Sequence, residues 1–198
     1  MKRLKIGVLA SGGGTNLQSI IDRSLDGSIS ADVVIVISNN SKAKALERAM
    51  KHGIDALHIS AVTEGSEEKA DKRIVAEMVS RGVDLVVLAG YMKKIGSELL
   101  NACNGKMINI HPALLPKFGG KGMYGMRVHE AVIAAGEKES GPTVHYVDSE
   151  YDRGPIIAQI KVPVYPKDAP EDIQKRVLVK EHELFPGVIQ KIAEEWEN

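Results

Sequence analysis

The sequence predicts an α/β fold: a single-domain, Rossmann-like, doubly wound and mostly parallel sheet of about seven strands, flanked by helices, with an antiparallel C-terminal portion. Three observations lead there. Short β-branched runs alternate with longer helical patterns through residues 5–111. Several of those runs are continuously apolar, the mark of strands covered on both faces. After residue 111 the rhythm changes to a proline- and glycine-rich stretch followed by closely spaced strands.

In order along the chain, "KIGVLAS" (5–11), "DVVIVIS" (32–38), "DALHIS" (55–60), "DLVVLAG" (84–90) and "MINIH" (107–111) are expected strands. Residues 15–26, 41–52, 65–81 and 96–103 are expected helices between them. The third is the clearest, with Ile74, Val75, Met78 and Val79 as an apolar stripe on a charged segment. "PALLPKFGGKGMYGMR" (112–127) holds two prolines and four glycines and reads as a long ordered loop. A helix over 127–136 precedes two strands, "GPTVHYVD" (141–148) and "PIIAQIKVPV" (155–164), the second patterned like a sheet edge. A closing helix starts near Ala169, with Pro170, Glu171 and Asp172 in its first turn, and Pro186–Gly187 is expected to kink or divide it. The chain then reads as two halves of one domain, 1–105 binding phosphate and 106–198 carrying the chemistry.

With 26 Lys+Arg against 26 Asp+Glu, the formal charge is zero, which disfavours a protein held by nucleic-acid phosphates or an anionic membrane surface. A single cysteine, Cys103, excludes an intramolecular disulfide, fits a cytoplasmic setting and reads as a small buried hydrophobe. The basic-then-apolar start "MKRLKIGVLAS" has too short an apolar run for a signal peptide and suits a buried strand. No run is long enough to span a membrane.

Gly12-Gly13-Gly14-Thr15-Asn16 lies where the first strand hands over to the first helix. Free amides and a positive dipole end meet there, and glycines let an anion come close. A tight turn is the competing reading. Leu17 replaces the third glycine of G-x-G-x-x-G, "SNN" (38–40) lacks the acidic residue that holds a ribose, and no Gly-Lys-Ser/Thr follows. What remains is a site for one phosphate monoester.

Asn109 and His111 share one face of the fifth strand, where polar side chains are costly unless bonded or used. "VDSEYDRGP" (147–155) adds acidic residues in a loop. No metal spacing appears, and His111, His129 and His145 are not spaced as ligands on one helix. Glu181 falls on the stripe Ile173, Val177, Leu184 of the closing helix, a carboxylate that either reaches the rim or faces a polar ligand.

Together "SGGGTNLQ" (11–18), "VVLAGYMKKI" (86–95), "INIHPALLPKF" (108–118), "GPTVHYVDSEYDRGPIIAQ" (141–159) and "VKEHELFP" (179–186) resemble the folate-dependent formyltransferases, and the short glycine loop favours the phosphoribosylglycinamide formyltransferase branch. The resemblance covers nearly the whole chain. It implies formyl transfer from the co-substrate 10-formyltetrahydrofolate to glycinamide ribonucleotide in purine biosynthesis, with no metal, no nucleic acid and no membrane partner, by a cytoplasmic monomer or weak homodimer. It implies catalytic roles for Asn109, His111 and Asp152, nucleotide contacts at Gly14, Thr15, Asn16 and Glu181, and folate contacts at Met92, Lys93, Lys94, Ile95, Asn109 and Asp148. Two departures stand out: the loop 117–132 is longer than in better-known members, and a basic residue of the family has no clear match around Glu67–Lys69.

On this reading the amine attacks the formyl carbon, and Asn109 with a protonated His111 donates to the developing oxyanion, each such donor contributing about 2.7–4 kcal/mol. Asp152 holds the imidazolium, raises the His111 pKa and relays protons. The rivals are a methionyl-tRNA formyltransferase, which normally carries a further basic C-terminal domain, and a formyltetrahydrofolate deformylase, which usually carries a further N-terminal domain. A non-catalytic nucleotide-binding module would leave Asn109, His111 and Asp152 unexplained.

Overall fold

The structure, a computed structural model, describes residues 3–103 and 105–196. The first two residues of the signal-like start lie outside that range. Among the described residues the strands are β1 (Leu4–Leu9), β2 (Ala31–Ser38), β3 (Asp55–His58), β4 (Leu85–Leu88), β5 (Met107–His111), β6 (Glu139–Ser140), β7 (Thr143–Tyr146), β8 (Ile156–Gln159) and β9 (Val162–Pro163). The helices are α1 (Thr15–Leu25), α2 (Lys44–Lys51), α3 (Ala61–Glu64), α4 (Glu67–Ser80), α5 (Ser97–Cys103), α6 (Met126–Ala134) and α7 (Pro170–Trp196).

The main sheet has seven strands in the order β3-β2-β1-β4-β5-β7-β8. β1 to β5 pair in parallel, while β5–β7 and β7–β8 are antiparallel. The sequence dictates the two covered faces. Ile6, Val8, Leu85 and Val87 point to one side, where they pack with Leu17 and Ile20 of α1 and Phe185 and Ile189 of α7. Leu9, Ile37, Val86 and Leu88 point to the other, against Ile74 and Met78 of α4 and Leu99 of α5. Because chain order reverses between β1 and β4, a crevice opens beyond their carboxyl ends, the usual place for a ligand in such a sheet.

Four expectations are corrected. The strand over 155–164 is two: after Gln159 the chain leaves the main sheet, Ile160 donates to the Pro142 carbonyl, and Val162 pairs with Ser140 in a separate two-stranded ribbon. The helix expected over 65–81 is preceded by α3, which Ser60 caps and Gly65 (φ +89°) ends, so Ser66 caps α4 anew. Its buried stripe is Ala70, Asp71, Ile74 and Met78, with Val79 69% exposed. Pro186 does not divide α7, which runs on through Trp196. Phe185, Pro186, Val188 and Ile189 are all buried there, and their packing outweighs the one helical bond that proline forfeits. No helix among the described residues is long and apolar enough to cross a membrane.

Candidate active site

The glycine loop leaves β1 at the switch point. Gly14 precedes α1 in left-handed backbone (φ +68°), and a Cβ there would lie 2.8 Å from the Ala45 Cα, so the position demands glycine for both reasons. The loop's carbonyls are taken: Gly12 accepts from the Ala45 amide at 3.1 Å and Gly13 from Arg48 Nε at 2.8 Å. Among the described residues the amides of Gly12, Gly13 and Gly14 donate to nothing, and no side chain caps the helix start. Ser11 fixes the approach, its hydroxyl bonding Asn39 and accepting from the Met92 amide at 2.8 Å.

The strongest concentration of polar groups comes from one pair of strands. Antiparallel register sets Asn109 of β5 opposite His145 of β7, and His111 opposite Thr143. Residues two apart share a face, so four polar side chains form one block in an otherwise apolar sheet. His145 Nδ1 lies 2.8 Å from the Tyr146 carbonyl, which only a ring N–H can satisfy. Its Nε2 is then the acceptor for Asn109 Nδ2 at 3.1 Å. By the same reasoning His111 donates Nε2–H to the Phe118 carbonyl at 2.7 Å. His111 and His145 are 4% and 2% exposed.

Asp152 completes the cluster from the turn between β7 and β8. Its Oδ2 lies 3.6 Å from His111 Nδ1 and its Oδ1 3.6 Å from His145 Nε2. Gly120 donates its amide to Oδ2 at 2.9 Å. Gly119 lets the loop close over this carboxylate, since a Cβ there would stand 3.1 Å from the Asp152 Cβ and 2.5 Å from Leu115. Asp152 and Phe118, the two non-glycine residues with positive φ among those described (+55° and +56°), both touch His111. Backbone strain is thus gathered at the imidazole.

The electrostatics correct one expectation. Burial lowers the His111 pKa, and it outweighs the Asp152 charge and the Phe118 carbonyl, which both raise it. The resting ring is therefore neutral at neutral pH, with its proton on Nε2 and a bare Nδ1 facing Asp152. Burial works to raise the Asp152 carboxyl, but the two imidazoles beside it, once charged, and the Gly120 amide hold it below its ordinary value. Asp152 is ionised beside an imidazole poised to accept a proton.

These groups line a cleft of about 460 Å³, a size typical of small-molecule sites. Thr15, Met92–Ile95 and Asp148 also line it, whereas Gly14 is no part of its wall and packs against Ala45. Asn16 and Glu181 line it too, but joined to each other: Asn16 Nδ2 donates to Glu181 Oε2 at 2.7 Å. One of the two Asn16 Nδ2–H donors is therefore spent on Glu181. Glu181 is 8% exposed and its pKa is raised by burial, which the Asn16 bond only partly offsets. Around Glu67–Lys69 the structure puts an acid where a base was sought: Glu67 pairs with Lys93 at 3.0 Å. Cys103 is half-buried, and burial pushes its thiol up to about 11, leaving no thiolate at neutral pH. Among the described residues no three His, Cys, Asp or Glu side chains are placed so that they could hold a metal ion.

His145 and Phe118 were not foreseen as parts of the site. The signal for His145 was present, since Thr143 and His145 repeat the two-apart polar spacing of Asn109 and His111 in a second apolar strand. The Phe118 carbonyl carries no sequence signal at all.

The profile of the formyl transferase family matches residues 4–189. A chloroplastic phosphoribosylglycinamide formyltransferase of Arabidopsis thaliana is 45% identical over 98% of this chain and 67% of its own length. Phosphoribosylglycinamide formyltransferase of Escherichia coli is 39% identical over 96% of this chain and 88% of its own. The crystal structure of glycinamide ribonucleotide transformylase 1 from Symbiobacterium toebii superposes with a TM-score of 0.92 at 41% identity, covering 98% of this chain and 89% of that one. With the fold, the strand-end cleft and near full-length likeness in agreement, the chain belongs to the formyl transferase family and, within it, to the phosphoribosylglycinamide formyltransferases.

Proposed function

We propose that this chain transfers the formyl group of 10-formyltetrahydrofolate to the amine of glycinamide ribonucleotide, a step of purine biosynthesis. The observation that carries the chemistry is the cluster of Asn109, His111, His145 and Asp152 on the floor of one cleft. The nucleotide's phosphate meets the open amides of the glycine loop near Thr15, and its polar body meets Asn16 and Glu181. The folate lies along Met92, Lys93, Lys94 and Ile95 with Asp148 opposite, in the part of the cleft where apolar and polar groups mix.

The amine nitrogen attacks the formyl carbon, forming a C–N bond while the carbonyl electrons move to oxygen. Asn109 keeps one N–H free after serving His145 and aims it at that oxygen. The amine's proton passes to the bare Nδ1 of His111, and Asp152, 3.6 Å away, stabilises the imidazolium. Collapse of the tetrahedral centre breaks the bond to the folate nitrogen, which takes up a proton and leaves as tetrahydrofolate. His145 keeps Asn109 in register. The cytoplasmic setting and a monomer or weak homodimer belong to the same reading.

The test is an absorbance assay of folate product with glycinamide ribonucleotide present and absent. Turnover that requires the nucleotide is expected. Equal turnover without it would mark a hydrolase of formylfolate instead.

A further inference from the structure

His129, on α6, belongs to none of the groups assigned above. It is 2% exposed, and its ring lines the cleft. Its Nδ1 is sealed from solvent and has no hydrogen-bond partner among the described residues. Among the described residues Nε2 makes no bond either, yet it is not sealed, which leaves it as the nitrogen open to the cleft that His129 lines. A neutral imidazole carries its proton on one nitrogen only. An orphaned buried N–H is rarer and costlier than an orphaned lone pair, which puts the bare lone pair on Nδ1 and the proton on Nε2.

The cleft needs such a donor. His111 spends its N–H on the Phe118 carbonyl, and Asn109 spends one of its two on His145. That leaves the developing oxyanion a single donor from the expected pair. We propose that His129 supplies a further one: a neutral Nε2–H aimed at the oxygen of the formyl group as it becomes an oxyanion. The inference rests on the transfer reaction proposed above. Burial and the nearby His111 charge bring the His129 pKa down to about 4, so the donor is neutral at pH 7.

Two variants of the full chain separate this from packing. His129→Phe keeps a ring and removes the donor, whereas His129→Gln returns an amide N–H near the Nε2 position. With folding checked by circular dichroism, the phenylalanine variant is expected to lose about 10²–10³ in kcat with KM for both substrates changed only severalfold, the usual effect of losing one oxyanion donor. The glutamine variant is expected to recover at least tenfold of that loss. Nitrogen-15 spectra of the wild-type histidines should show His129 as the Nε2–H tautomer at pH 7. A folded phenylalanine variant at wild-type kcat overturns the role, and so does an Nδ1–H tautomer, which needs no variant to fold. Wild-type enzyme without turnover would overturn the transfer reaction and the oxyanion role with it. The spectra would then still decide whether His129 offers an N–H to the cleft.

Discussion

At the scale of single residues, Asp152 combines a charge with an unusual backbone, and the two are separable. Its φ of +55° is tolerated by Asp and Asn better than by most residues, so Asp152→Asn removes charge without adding strain. That variant should fold normally and lose about 10²–10⁴ in kcat, as measured by steady-state kinetics. Its kcat/KM profile should also change. Wild-type activity should fall with decreasing pH as His111 takes up a proton, at a pKa below the ordinary 6.5. Without the Asp152 charge, which holds that pKa up, the acid limb should move to still lower pH. A limb that stays in place would remove Asp152 from contact with His111.

Glu181 gives the opposite sign. Its folded-state pKa lies above the ordinary carboxyl value, so the fold prefers the protonated form and this contribution to stability is lost as pH rises through the folded value. Glu181→Gln should therefore melt no lower than wild type at pH 7, while the KM for the nucleotide rises. Melting curves and kinetics on one preparation check both. His129 acts in the other direction: with a folded value of about 4 it costs stability as pH falls from 6.5 toward 4, because the unfolded chain binds the proton first. His129→Gln should flatten the melting temperature over that window. Asn109 and His111 were legible in the sequence because buried polar groups in an apolar strand stand out, whereas Asp152, one acid among several in a loop, was marked out only by the family resemblance. The protonation state of His111 was not, because burial and charge oppose each other there and only geometry shows which prevails.

Elements were legible where periodicity was unambiguous and less so where capping decided. Ser60 caps α3, a short helix ahead of the expected one, and Ser66 starts α4 anew, since each serine satisfies a local amide. At Pro186 the sequence rule was overridden by packing, as Phe185 and Ile189 are fully buried on either side of the ring. The glycine loop supplies the prediction at this scale. Gly14→Ala puts a Cβ 2.8 Å from the Ala45 backbone and forces an alanine into left-handed φ, so α1 must shift relative to α2. A loss of about 1–3 kcal/mol in a urea unfolding curve is expected, with KM for the nucleotide raised far more than KM for the folate. An unchanged nucleotide KM in a folded variant would show that the phosphate binds elsewhere.

For the whole molecule, the parallel half was readable from continuous apolar runs, but the antiparallel return was readable only as a change of rhythm. Which face of β7 meets β5 depends on register, and register is what brings His145 to Asn109. The sequence therefore located several polar residues of the cleft without revealing who holds whom. One consequence follows from α7, which packs against α1, β2, β7 and β8 and also supplies Glu181. Every strand precedes it in the chain, so a ribosome that has completed the sheet has not yet completed the cleft. A nascent chain halted before Ala169 would present the apolar sheet face that Phe185 and Ile189 later cover, and would be a client for chaperones rather than a catalyst. Activity begins only when the last helix has been made.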